Sequence, residues 1–264
     1  MKTHHIILAG CVICVLALAT GCKSSKKVST YDEIYNEKPV TVYIAPIEDK
    51  TSRKIEKYPM DKEANEELNA AARYMYHTLS VPLRRQGYYT IGTLATEQIA
   101  KQQGHSAKQL RNEDIRTYAQ LYGVDAILIV TIHRWKSTYS NWDLFAEYTL
   151  RSTKSNNDLM HTWVKASKQL NTDYSGNPVA MPEDAEFAAE MEMNVSTAQR
   201  CQLVQKVNDY VLRNLPVSSN KPQFEKDRYL KANPSYFFYS FTPDGEIEIE
   251  NMSMESFEEE CFVN

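Results

Sequence analysis

The residues of this chain best suited to acid–base or metal chemistry are four well-separated histidines and one acidic pair. His77, His105, His133 and His161 are never three or four positions apart, so no two share a helix face that could grip a metal. The sequence holds no G-x-S-x-G elbow, no Gly-rich phosphate loop, no H-E-x-x-H and no D-x-[DN]-x-[DN]-G calcium loop. Eight glycines in 264 residues leave little backbone for cradling phosphate. Glu48 and Asp49 follow the first predicted strand, where α/β proteins place binding loops. Such a pair could act as the acid and base of a hydrolase, although loop carboxylates are more often simply solvated. His77 lies off the apolar stripe of its helix. His133 ends an apolar strand, and His161 is out of phase with the set Met160, Thr162 and Val164. All three read as structural or surface residues, so no catalytic residue, metal ligand or cofactor is assigned.

The five cysteines offer different chemistry. Ile6 to Ala19 is a run of fourteen uncharged residues. A membrane-spanning helix needs roughly 20 apolar residues, so this run reads as the apolar part of a secretory signal. Leu18-Ala19-Thr20-Gly21-Cys22 resembles a bacterial lipobox, with small residues before a cysteine. The resemblance implies a signal peptide over residues 1–21 and fatty acyl chains, palmitate among them, on Cys22. One chain anchors weakly and about two hold a protein stably, so a triacylated Cys22 would be held for good. By resemblance to bacterial sorting signals, an aspartate after the cysteine retains a lipoprotein at the inner membrane. Lys23 stands there instead, which implies the outer membrane. Ser24, Ser25, Lys26 and Lys27 lack the acidic residues that mark surface export, which favours the periplasmic face. Residues 22–37 are read as the lipidated N-terminus and a polar tether. Cys11 and Cys14 would leave with the signal. Cys201 and Cys261 remain, and an oxidising periplasm permits them to pair. Cys201 also sits on the apolar stripe of a predicted helix, where a buried thiol is the commoner state. The sequence leaves both possibilities open.

Charge narrows the function further. Without residues 1–21 the chain keeps 243 residues, enough for one large domain or one domain with an appendage. Lys231 is the last basic residue, and eight acidic residues follow it. No basic stripe of the kind that binds nucleic acid is present.

The elements that must position any site follow from periodicity. Val40 to Pro46 is β-branched and aromatic, a strand ended by its proline, and 47–62 reads as a loop. Leu68, Ala72, Met75, Leu79 and Leu83 recur at helical spacing, with a kink expected at Pro82 and a stop at Gly87. Residues 88–92 form a short strand, 95–103 a short helix, and Asn112 opens another helix that Gly123 closes. Val124 to Ile132 is nearly all apolar, which suits a central strand covered on both faces. Residues 143–151 and 159–168 alternate as a hairpin around a polar turn. Residues 185–215 read as one long amphipathic helix, broken at most once. Ser235 to Phe241 and Glu246 to Glu250 then read as strand, turn, strand. This order predicts an α/β fold, a mixed sheet packed by helices, over 38–216, with 217–264 as an acidic, aromatic-containing extension. Seventeen tyrosines stand out. Tyr74, Tyr88 and Tyr148 fit the edge of a core. Tyr236, Phe237, Phe238, Tyr239 and Phe241 lie beyond the closing helix, and could dock on the domain or on a partner.

Three stretches carry a family resemblance: VYIAPIEDKTS (42–52), LSVPLRRQGYYTIG (79–92) and, most specific, YGVDAILIVTIHRWKSTY (122–139). Over about 38–216 the chain resembles bacterial lipoproteins of unknown function that accompany CsgG-like outer-membrane secretion lipoproteins. That family is similar to the TolB N-terminal domain and to LpoB-type lipoproteins. The resemblance implies a mixed α/β fold, an envelope accessory role, a CsgG-like partner and no catalytic residues. Ala45-Pro46 stands where the family has a double proline, and 217–264 has no counterpart in it. The leading expectation is a non-enzymatic outer-membrane lipoprotein serving a CsgG-like secretion or assembly system. An activator of a peptidoglycan synthase is the alternative, resting on fold likeness alone. A hydrolase using Glu48 and Asp49 comes third. The oligomeric state is left open.

Overall fold

The computed structural model describes residues 29–51, 60–91, 98, 102, 104, 122–138, 141–170, 182–228, 232–233, 236–241 and 247–248. The chain enters through β1 (Ser29–Thr30) and α1 (Asp32–Glu37) before β2 (Thr41–Ile44) and β3 (Glu48–Asp49). Helices α2 (Met60–Thr78) and α3 (Ser80–Arg85) lead to β4 (Tyr89–Thr90). Three twelve-residue strands follow, β5 (Ala126–Ser137), β6 (Asn141–Ser152) and β7 (Asp158–Gln169). Then come α4 (Pro182–Glu190), α5 (Val195–Arg213), α6 (Phe224–Asp227), β8 (Ala232–Asn233), β9 (Tyr236–Phe241) and β10 (Ile247–Glu248).

The main sheet runs β10-β9-β7-β6-β5-β2-β4, with β3 also pairing β5. β5, β6 and β7 form an antiparallel meander, while β2 joins β5, β4 joins β2 and β9 joins β7 in parallel. The sheet is therefore mixed, and helices pack on it, as the element order predicts. One face buries Leu128, Val130, Leu144, Ala146, Tyr148, Val164 and Ala166 against Leu68, Met75, Val204, Val207 and Val211 of α2 and α5. Each buried Leu, Val or Met among them contributes about 1.5–3 kcal/mol by leaving water.

The helix breaks have local causes. Pro82 has no N–H to offer Thr78, so the expected kink becomes a division between α2 and α3 at Leu79. Gly87 follows at φ +92°, a backbone conformation that residues with a Cβ adopt only under strain. The long helix expected over 185–215 is two, α4 and α5. Glu192 at φ 52° interrupts it, and Asn194 restarts it by accepting a 2.8 Å bond from Thr197 N. The helices expected over 95–103 and from Asn112 fall largely outside the described residues. Gly123, read as a helix stop, has φ 61°.

Three expectations are corrected. Residues 47–62 are not all loop, because Glu48 and Asp49 form β3 opposite Thr131 and Ile132. Residues 29–37 are not tether. Ser29 and Thr30 pair with Asn233 and Ala232, and Tyr31, Ile34 and Tyr35 are buried. Their few apolar residues are too closely spaced with polar ones to show periodicity in so short a helix. The boundary at 216/217 does not divide the architecture. β9 lies along β7 from Trp163 to Lys168 and buries Tyr239 and Phe241 in the main core. Without β9, β7 would be an edge with unpaired backbone groups. β9 and β10 pair antiparallel, matching the two strands read in the tail.

Candidate functional site

Alternation along β6 and β7 sends every second residue to the face away from the main helices. Phe145, Glu147 and Thr149 lie there on β6, and His161, Trp163 and Lys165 on β7. The register sets Glu147 between Thr131 and Trp163, and Thr149 beside His161. On β5 the pairing skips His133: Ile132 faces Ala146 and Arg134 faces Phe145. This bulge lets Ile132 and Trp135, three residues apart, both stay in the core, and it leaves His133 on the outward face.

Three strands thus meet in one cluster. Glu147 Oε2 is 2.9 Å from His133 Nε2, and Glu147 Oε1 is 2.8 Å from His161 Nε2. The His133 and Glu147 side chains are about one-fifth exposed, at 20% and 23%, and His161 is more open at 42%. Aromatic rings frame them. Trp163 stacks on Phe145 at 5.4 Å and 18°, and each histidine ring lies within 5.4 Å of Trp163. Tyr236, from β9, packs beside Phe145 and Trp163.

The electrostatics suit a fixed recognition patch better than a catalyst. Hydrogen bonds from His133 and then His161 hold the Glu147 carboxyl down at about 2. The bond to Glu147 raises the His161 imidazole above its ordinary value. A general base works best with a pKa near the operating pH, so Glu147 is tuned away from that role and both its oxygens are engaged. Among the described residues, no group of three or more His, Cys, Asp or Glu side chains is arranged to hold a metal ion.

The residues singled out from sequence are divided by the fold. Glu48 reaches the rim of the cluster, where its Oε2 accepts from Thr131 Oγ1 at 3.2 Å. Asp49 turns back on its own chain, accepting from Thr51 N and Thr51 Oγ1 at 2.9 and 2.6 Å. The two carboxylates are therefore not a facing acid–base pair. Of the tail aromatics, Tyr236 joins the outward cluster and Phe238 lies under Lys165 Nζ at 5.1 Å. Phe237, Tyr239 and Phe241 point into the main core. Cys201 is a buried free thiol that burial pushes up to about 12, and Cys22 and Cys261 lie outside the described residues. His133, Glu147 and His161 were not grouped by sequence reasoning. Part of the signal was present, since a hairpin turning about 153–157 sets Glu147 opposite Trp163 and next to His161.

A family model described as "Putative lipoprotein GNA1162-like" matches residues 59–206. No curated protein matches the chain. Among solved structures, the chain is similar to lipoprotein GNA1162 from Neisseria meningitidis, at 18% identity and TM-score 0.42, over 52% of this chain and 89% of that one. It is similar to the PelC dodecamer subunit from Paraburkholderia phytofirmans at 9% identity and TM-score 0.32, over 69% and 89%. The LpoB C-terminal domain from Salmonella enterica follows at 12% and 0.28, over 54% and 87%. At such scores none of the three carries an argument about function or assembly. Among the described residues no helix is long and apolar enough to cross a membrane.

Proposed function

The chain belongs to the GNA1162-like family, and from that premise we propose that it is a lipid-anchored, non-enzymatic outer-membrane protein that assists a CsgG-like secretion or envelope-assembly complex. The family match over 59–206 is the observation that carries the lipoprotein part of the reading, and the CsgG-like partner rests on the resemblance of residues 42–52, 79–92 and 122–139. The lipobox ending at Cys22 supports it independently, since acylation there needs only the local sequence. Cys22 holds the chain to the membrane, with Lys23 favouring the outer membrane and its periplasmic side.

The outward face of the sheet supports a binding role. His161 and Tyr236 are partly exposed beside the Trp163 and Phe145 rings, and interfaces favour aromatic side chains. Strands hold these groups in place, so little conformational entropy is lost on docking.

The test is purification of the full-length protein from cells after mild cross-linking and gentle detergent extraction. A CsgG-like lipoprotein should co-purify, and a Cys22→Ala chain should leave the membrane fraction and lose that partner. Recovery of the acylated protein with no such partner would end the reading.

A further inference from the structure

We infer that the end of the domain carrying Ser29 is held against the phospholipid headgroups, so that the tip of the β5–β6 hairpin points away from the bilayer. This rests on acylation of Cys22. The first observation is where the fold begins. Ser29 and Thr30 are paired with Asn233 and Ala232. Just after them Tyr31, Ile34 and Tyr35 are buried, at 1%, 0% and 3%. Tyr35 packs on Phe224 at 4.9 Å, with the Arg228 guanidinium 5.7 Å above its ring. The Ser152 and Ser155 hydroxyls donate to Glu37, and Lys38 Nζ lies 3.4 Å from Glu225. These contacts fix residues 29–38 to α6 and to the turn joining β6 and β7.

The second observation is the length of chain left over. Seven residue steps separate Cys22 from Ser29, which span at most about 25 Å even when fully extended. The third is charge. Lys23, Lys26 and Lys27 are the charged residues between Cys22 and Ser29, so this leash is attracted to anionic headgroups and shortens its own reach. Glu37 grips the end of the sheet where β6 finishes and β7 begins. The far tip of β5–β6 is eleven strand residues away, about 35 Å. The leash is shorter than that length, so the two ends of the sheet are not equivalent to the membrane. The latch end, with Asn36 and Lys226 exposed, faces it.

The test uses full-length acylated protein reconstituted in vesicles of phosphatidylethanolamine and phosphatidylglycerol that carry a headgroup energy acceptor. In a Cys261→Ser background, a donor dye is attached through Asn36→Cys, Lys226→Cys or Lys136→Cys. Transfer from positions 36 and 226 should exceed transfer from 136 severalfold. A flexible insert of about thirty residues between Val28 and Ser29 should abolish the difference while the protein still floats with the vesicles. Equal or stronger transfer from 136 in a floating, acylated chain overturns the orientation and leaves the anchoring intact. A chain that lacks acyl groups by mass spectrometry and does not float overturns both.

Discussion

The Tyr148 hydroxyl donates to Asn208 Oδ1 at 2.8 Å, and the Asn208 amide donates onward to Met75 O and Thr78 Oγ1, each at 3.0 Å. One buried side chain thereby ties β6 to α2 and α5. Asn208→Ala would strand the Tyr148 hydroxyl in the core and leave a gap. A loss of about 3 kcal/mol is expected, read from the urea midpoint at unchanged slope. A change below about 0.5 kcal/mol would mean that this network does not hold the layers together.

Ile34 lies in a segment whose sequence reads as tether, yet it is fully buried. Ile34→Ala should cost about 3 kcal/mol. Asn36→Ala, on the exposed side of the same helix, should stay within about 0.5 kcal/mol. Equal, negligible effects would return residues 31–37 to the tether.

The Glu147 cluster should give a bell-shaped pH dependence. The Glu147 carboxyl is depressed from 4.5 to about 2, so its contribution is present above its ordinary value and fades as the pH falls toward 2. The His161 imidazole is raised from 6.5, so its contribution is complete below that value and fades as the pH climbs through the raised one. The stability gap between the native chain and Glu147→Gln should therefore peak between the two groups' ordinary values, at about pH 5.5, and shrink both as the pH falls toward 2 and as it climbs through the raised imidazole value. A gap that does not vary with pH would show that the variant acts through packing alone.

Tyr236 and Phe241 share a strand but face opposite ways. Phe241→Ala should cost about 3–4 kcal/mol because its ring sits in the main core. Tyr236→Ala should cost about 1 kcal/mol or less while lowering partner recovery severalfold. Unchanged recovery with Tyr236→Ala would remove the outward face from the binding surface.

Cys201 should be silent in the folded protein. Burial, and secondarily Glu67, push its thiol up to about 12, and the thiolate is the reactive form. In a Cys261→Ser chain, Ellman's reagent should react at the rate of unfolding, with no fast phase.

Much of the architecture is written in local pattern. The spacing of Leu68, Met75 and Leu79, the alternation on either side of the turn after Ser152, and the missing N–H of Pro82 act within a few residues. The helices and the central hairpin are therefore legible without tertiary information. The lipobox-like stretch ending at Cys22 is legible in the same way, from residues adjacent in sequence.

The rest depended on which distant strands come together. β9 pairs with β7 across more than sixty residues of sequence, and nothing in Tyr236 to Phe241 specifies that neighbour. Its alternation says that the aromatics divide between two faces, but only the parallel register assigns Tyr236 to the cluster and Tyr239 to the core. His133, Glu147 and His161 are each fourteen residues from the next. They converge because register and one bulge align three strands to within a residue. Periodicity gives a side chain its face, and pairing gives it its neighbours. Pairing is settled by backbone groups that must all find partners at once, so it belongs to the whole fold and not to any one segment.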